Sequence, residues 1–506
     1  MNPRTASARA GVLLVAAMAA VFFAWMPAEF LDGDPHAWRQ EARNIVLHGE
    51  LHIADDVARL FGTPGQYLVR NPANGLWYSK YGIANAVLSL PPLLAQHVLR
   101  GGLPSSPTEL PSLLLFNLWH VVYGATLAAL LYLLTGRYSR RTGVRVIFVI
   151  AAFFCTSLWF YQRAQSSEIY QTIFFTGLFA SFTAFLRELA QGEPRALSAR
   201  SWRALALAWA CAGLLVLVRA SYGLLLPIMI TLIAAYARRD APWRELRDTR
   251  LVVAALAPPA LVVALLGWVN WVKFGAPWLS GYHAWRPDLI APSPGHLPDG
   301  LWGFLFSMRF SIFLSFPLLI FGLAALPRFF ERHRLDTIVA AALFVPTLLF
   351  MASLPSWAGE WSYGPRYLLP MLPVVALPFL LFAEGLLERP SETKTRLWAA
   401  AAIVVFVYSA YLQGQMARAP FWIYYHARSA LDGLRSPESI DYFFNHGDAR
   451  IASDLLAHRS DLTALPYFAE LKSRLPAQPV EEYRRYLVTE LDRGNLYWLL
   501  PAAERR

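Results

Sequence analysis

Charge is scarce in this chain, and lysine scarcer still. Only 16% of the 506 residues are charged, and of 45 basic residues just four are lysines, at positions 80, 273, 394 and 472. So little charge against 56% hydrophobic content excludes a single soluble domain of this length. Cysteine is nearly absent. Cys155 and Cys211 both sit inside apolar runs, which leaves no disulfide or thiolate metal site in any water-exposed part. The net charge of +11 comes from arginines clustered in short loops between apolar segments, a topogenic pattern, so no nucleic-acid partner is expected.

Long apolar runs are what the chain has in quantity. Segments near the ~20 residues that a membrane crossing needs read as 10–31, 111–135, 144–162, 168–187, 203–218, 220–237, 251–271, 305–326, 336–355, 366–384 and 396–413. The first run follows Arg4 and Arg9 and reads as an uncleaved anchor that starts in the cytoplasm. Arg137, Arg140, Arg141, Arg145 and the group from Arg238 to Arg250 then share the cytoplasmic side if the further apolar stretch 81–99 lies along the interface instead of crossing. The expected fold is an all-α polytopic membrane protein, with a bundle of about eleven spans over 1–413. Within it, 32–110 forms a first extracytoplasmic loop with juxtamembrane helices, and 414–506 follows as a small helical extracytoplasmic domain. The excess of arginine and alanine over lysine points to a GC-rich bacterial source, and so to the cytoplasmic (inner) membrane.

The polar residues that stand out all fall on the predicted extracytoplasmic face. Asp32 and Asp34 follow the first span; Asp34 precedes Pro35 and reads either as a helix cap or as a catalytic base fixed by that helix. Lys80, among Trp77, Tyr78 and Tyr81, is either a snorkelling belt residue or a point charge for a lipid phosphate. Glu168 opens a span, where an acid also suits the helix dipole, and Arg219 sits at the break between two short spans. The proline-rich loop 272–304 is built to cover a site and carries His283, with Arg309 following. In the aromatic group 357–370, Arg366 has the fork geometry for a phosphate, or pairs with Glu360. Asn117 and His120 lie deeper in a span and read as hydrogen-bonded core residues.

This order of residues resembles the GT-C-type, polyprenyl-phosphate-dependent glycosyltransferases, in the layout of protein O-mannosyltransferases and of the aminoarabinose transferase that modifies lipid A. The likeness covers about residues 10–415 and rests on Asp32-Gly-Asp34, Ala42-Arg43 with Gly49, Tyr78-Ser-Lys80, Glu168, the Arg219 hairpin and Tyr363-Gly-Pro-Arg366-Tyr-Leu-Leu-Pro370. The resemblance implies Asp34 as the catalytic acid-base group, assisted by Glu168 and Asp32. It implies Lys80, Arg219, Arg366 and Arg309 on the donor phosphate, and His283, Tyr363 and Glu360 toward acceptor or sugar. It also implies a polyprenyl-phosphate-linked sugar as donor, a glycan, lipid or protein acceptor, membrane lipids around the bundle, and a metal-free reaction. Two carboxylates at 32–34 are in any case a thin ligand set for a divalent cation. Two departures from the family pattern are visible: Asp34 is followed by proline where glutamate is frequent, and Lys80 by Tyr81-Gly82 where relatives carry two prolines. A ligase acting on a lipid diphosphate, and a transporter or flippase, remain the competing readings. A transporter would carry charges near the midplane and repeated halves, and no clear internal repeat is visible.

Overall fold

The computed structural model describes residues 3–26, 33–59, 64–103, 113–191, 197–237, 249–307, 309–359 and 363–418, with a few isolated positions between 454 and 469. The domain expected over 414–506 lies almost wholly outside the described residues. Among those described, nine helices are long and apolar enough to cross a membrane: Thr5–Ala24, Leu114–Thr135, Glu168–Leu189, Ala199–Val218, Ala220–Ala237, Thr249–Phe274, Arg334–Ala352, Leu369–Glu388 and Thr393–Ala417. The chain is a multi-pass, all-α membrane protein.

Not every predicted span is a single helix. The run at 144–162 is a helix over Thr142–Phe154, a break, and a short helix over Leu158–Arg163. The run at 305–326 falls across Leu297–Phe306, Ile312–Ser315 and Leu318–Arg332. Hydropathy does not register such breaks, because hydroxyl side chains take over the backbone's hydrogen bonding where the ladder stops. Thr156 Oγ1 accepts from Leu158 N–H at 3.1 Å, and Ser311 Oγ from Phe313 N–H at 3.2 Å. The breaks meet: Ser157 N–H donates to Ser315 O at 3.3 Å. Gly364, with φ +63, is wedged against both, and a Cβ there would lie 3.0 Å from Ser315 Oγ. Irregular backbone is thus buried in protein, as a low-dielectric surrounding requires.

Glu168–Leu189 is the central helix. Ile169, Phe175, Leu178, Phe179, Phe182, Phe185 and Leu186 recur at helical spacing and are all buried, against Leu205, Ala208, Ala212 and Leu215 of Ala199–Val218 among others. Since lipid tails are as apolar as these side chains, close dispersion contact, with small residues at 208 and 212, is what favours helix on helix here. Thr249–Phe274 and Thr393–Ala417 keep most of their surface outside the packed interior.

The segment before the second span carries its own small core. Helix Gly33–His48 packs through Ala37, Trp38 and Ala42 onto Ile53, Leu68, Tyr81, Ala86 and Leu93. A hairpin that the sequence reading missed pairs Leu68–Arg70 with Trp77–Ser79, in the register Val69↔Tyr78, across a turn that needs Gly75 at φ +72. The 81–99 stretch is two short helices, Ile83–Leu88 and Leu90–Arg100, joined at Ser89. At a rise of ~1.5 Å per residue neither approaches the ~30 Å of a hydrocarbon core. The hairpin delivers Lys80 and Tyr81 to one end of the bundle, where Gly82 presses on the backbone ahead of Arg219; a Cβ on it would fall 2.1 Å from Leu217 O.

Candidate active site

Three segments far apart in sequence bring two acids onto one arginine. Helix Gly33–His48 starts two residues earlier than the capping pattern suggests, which puts Asp34 in its first turn. Its carboxylate accepts from the Tyr81 hydroxyl through Oδ1 and from Arg366 Nη2 through Oδ2, the latter at 3.2 Å. Glu168 opens the central helix and is fully buried. Its Oε1 accepts from Arg366 Nε at 2.5 Å, and its Oε2 from Ser166 Oγ at 2.5 Å. Arg366 therefore bridges the two carboxylates. A buried ion bridge of this kind holds only if its oxygens and N–H groups are satisfied, and the serine hydroxyl meets part of that need.

A second cation borders the pair. Arg219 Nη2 lies 3.9 Å from Glu168 Oε1, and its guanidinium carbon stands 4.7 Å over the Tyr367 ring. Among the described residues, no acceptor reaches its buried Nη1, and none reaches the buried hydroxyl of Ser221 two positions on. Two buried polar atoms in one turn are thus left without a partner, which is uncommon in a folded protein. Ser221 carried no sequence signal, lying in an apolar stretch.

Lys80 completes the set from the first segment. Its amine stands 3.2 Å from the centroid of Trp285, with Tyr81 at 5.3 Å and Tyr282 at 5.4 Å. Tyr282 and Trp285 belong to Gly281–Trp285, a helix inside the proline-rich loop, so that loop does lie over the cluster. Burial and the neighbouring Asp34 charge push the Tyr282 hydroxyl well above its usual range, leaving it a neutral donor. Beneath lies a pair that sequence reasoning missed altogether: Lys273 Nζ is 2.7 Å from Glu41 Oε1 and donates to the Tyr81 carbonyl at 3.0 Å. Burial pushes the Glu41 carboxyl up to about 7, against the opposing pull of Lys273.

The turn ahead of Glu168 is held by its own network. Gln165 adopts φ +55, a costly conformation for a residue with a side chain, and is fixed by Arg39 Nη2 at 2.5 Å and by Asn117. His120 Nε2 meets Ser166 O at 3.2 Å, so the deeper polar residues do serve as hydrogen-bonded core, with the particular task of shaping this turn.

Other candidates make other contacts. Tyr363 is a fastener: its N–H and C=O both bond the Tyr161 hydroxyl, at 3.1 and 2.7 Å, and its own hydroxyl donates to Gln413. His283 is exposed and bonds Ser280 Oγ through Nδ1 at 2.7 Å. Arg309 lies in the turn after Leu297–Phe306, its N–H donating to Ser307 Oγ at 3.2 Å. Asp32 and Glu360 fall outside the described residues. Among those described, no three His, Cys, Asp or Glu side chains gather as metal ligands would.

The fold is similar to that of solved oligosaccharyltransferase and ArnT structures. The crystal structure of the Archaeoglobus fulgidus oligosaccharyltransferase superposes with a TM-score of 0.52 at 12% identity, over 85% of this chain and 58% of that one. ArnT from Cupriavidus metallidurans gives 0.50 at 15% identity, over 96% of this chain and 77% of its own length. The oligosaccharyltransferase AglB from Archaeoglobus fulgidus, solved with an inhibitory peptide and a dolichol-phosphate, gives 0.50 at 13% identity, over 93% of this chain and 60% of its own. This chain thus spans well under two thirds of the archaeal protein. No family model and no curated protein matches the sequence.

Proposed function

We propose that this chain is a glycosyltransferase that moves a sugar from a polyprenyl-phosphate donor to a glycan, lipid or protein acceptor on the extracytoplasmic side, with inversion at the anomeric carbon. The observation that carries the reading is the pair of acids, Asp34 and Glu168, joined by Arg366 beside the open nitrogen of Arg219. Two acids against Lys80, Arg219 and Arg366 leave the cluster one positive charge in excess, the sign that a lipid phosphate needs.

In this reaction Asp34 takes the proton of the acceptor hydroxyl as its oxygen attacks the anomeric carbon. The bond from that carbon to the phosphate oxygen breaks, and its electron pair leaves on the phosphate. Lys80 and Arg219, with Ser221, stabilise the charge that develops there, while Arg366 keeps the two carboxylates in place. Glu168, fully buried and already engaged, assists through Arg366. The ready-made leaving group removes the need for a nucleotide sugar.

Mass spectrometry of envelope glycans from cells with and without the gene tests the reading, with Asp34→Asn expressed at matched level. Loss of one sugar modification without the gene, and about a 10³-fold drop in product with Asp34→Asn, is the expected result. Near-normal product from that variant would overturn the assignment of the base. Counterflow of lipid-linked sugar in liposomes without transfer would mark a transporter, and transfer from a lipid diphosphate alone would mark a ligase.

A further inference from the structure

The two residues that break the family pattern after Lys80 are both in use. Tyr81 is buried, with its ring edge-on to Trp38 at 5.1 Å and 89°, and to Tyr282 at 6.0 Å and 83°. Held so, its hydroxyl donates to Asp34 Oδ1, while Arg366 occupies Oδ2. Its carbonyl is gripped by Lys273, itself fixed by Glu41 in a pair that is almost wholly buried. Proline at 81 would have no hydroxyl to give.

We infer that Tyr81 is a positioning residue for the base, and that the Glu41–Lys273 pair is the strut that fixes Tyr81. A carboxylate on a single Cβ rotates freely unless both oxygens are held. With Oδ1 on Tyr81 and Oδ2 on Arg366, its plane is set. Glu41 lies in the first juxtamembrane helix together with Asp34, and Lys273, 232 residues on, at the end of a membrane helix, so the strut ties the base's own helix to the bundle. The cost of burying such a pair is hard to justify by stability, since well-packed apolar residues would serve as well. The inference rests on Asp34 acting as the base proposed above.

The test uses the full chain in lipid nanodiscs, with undecaprenyl phosphate as binding probe, product formation by mass spectrometry, and the infrared carboxylate bands of 13C-aspartate-labelled protein. Tyr81→Phe keeps the ring and removes the hydroxyl. It is expected to lower product formation about 10- to 100-fold, the scale of a small misplacement of a catalytic group. Undecaprenyl phosphate binding and melting temperature should stay close to wild type. It should also shift one carboxylate band, and that band should be missing from Asp34→Asn. Lys273→Met is expected to shift the same band with Tyr81 still present. Wild-type product from Tyr81→Phe, an unshifted band, or a loss of product matched by equal losses in probe binding and melting temperature would each overturn the inference. Full product from Asp34→Asn would instead sink the transferase reading itself.

Discussion

The two ends of the central helix both carry an arginine on a buried acid, and they differ in what else is present. At its C-terminal end Arg187 pairs with Asp336, Arg137 donates to Ala180 O at 2.7 Å, and Arg145 donates to Ser7 Oγ and Tyr132 O at 2.7 Å each. There each cation ties one helix end to another, as basic groups near carbonyl termini do. At its N-terminal end one guanidinium is shared by two acids, a second cation has an unfilled nitrogen, and a lysine sits under a loop. An arginine–carboxylate pair alone is a fastener. Convergence of several, with donors left over, is what distinguishes a site.

Breaking one pair at each end makes the contrast measurable. Arg366→Ala should be the more damaging, because it strands the buried Glu168 and releases Asp34 together. Product formation should fall below detection, and stability should drop by about 3–5 kcal/mol, the scale for removing one member of a buried ion pair. Product at wild-type level in surviving folded protein would show that Arg366 only fastens. Asp336→Ala should lower stability by about 1–3 kcal/mol as Arg187 loses its partner, with turnover per folded molecule unchanged. A turnover loss there would erase the distinction between the ends. The smallest effect concerns the buried pair at Glu41. Because burial raises its carboxyl to about 7 in the folded chain, the native state holds that proton more tightly than the unfolded one. Its contribution is fully present below the unfolded value and fades as pH rises through about 7. Melting temperature should therefore decline from pH 5 to pH 8, and Glu41→Gln should flatten that slope; an unchanged slope would place the titration elsewhere.

Much of this was legible in the residues. Asp34, Glu168, Arg219 and Arg366 announce themselves as charges at the ends of apolar runs, where water would otherwise be the cheaper solvent, and Lys80 by its rarity. What the linear order withholds is partnership. Nothing near Arg366 says that it reaches back 198 residues to Glu168 and 332 to Asp34. The Glu41–Lys273 pair is hidden for the same reason, each member reading as an ordinary interfacial charge. Breaks at 155–157 and 307–317 escape notice because serine and threonine replace helix hydrogen bonds without lowering hydropathy much. Tyr81-Gly82, by contrast, looks like a defect in the pattern, yet both are engaged, Tyr81 through its hydroxyl on Asp34 and Gly82 against the carbonyls of Leu217 and Val218.

Gly82 carries a mechanical lesson. With only a hydrogen where every other residue has a carbon, its backbone lies flush on the carbonyls of Leu217 and Val218, one step before Arg219. Gly281 does the same on the other side, flush on the peptide of Lys80. Three strands of backbone are stacked without slack, so the lysine, the arginine and the covering loop form one rigid laminate, and a displacement imposed on any of them is felt by the other two.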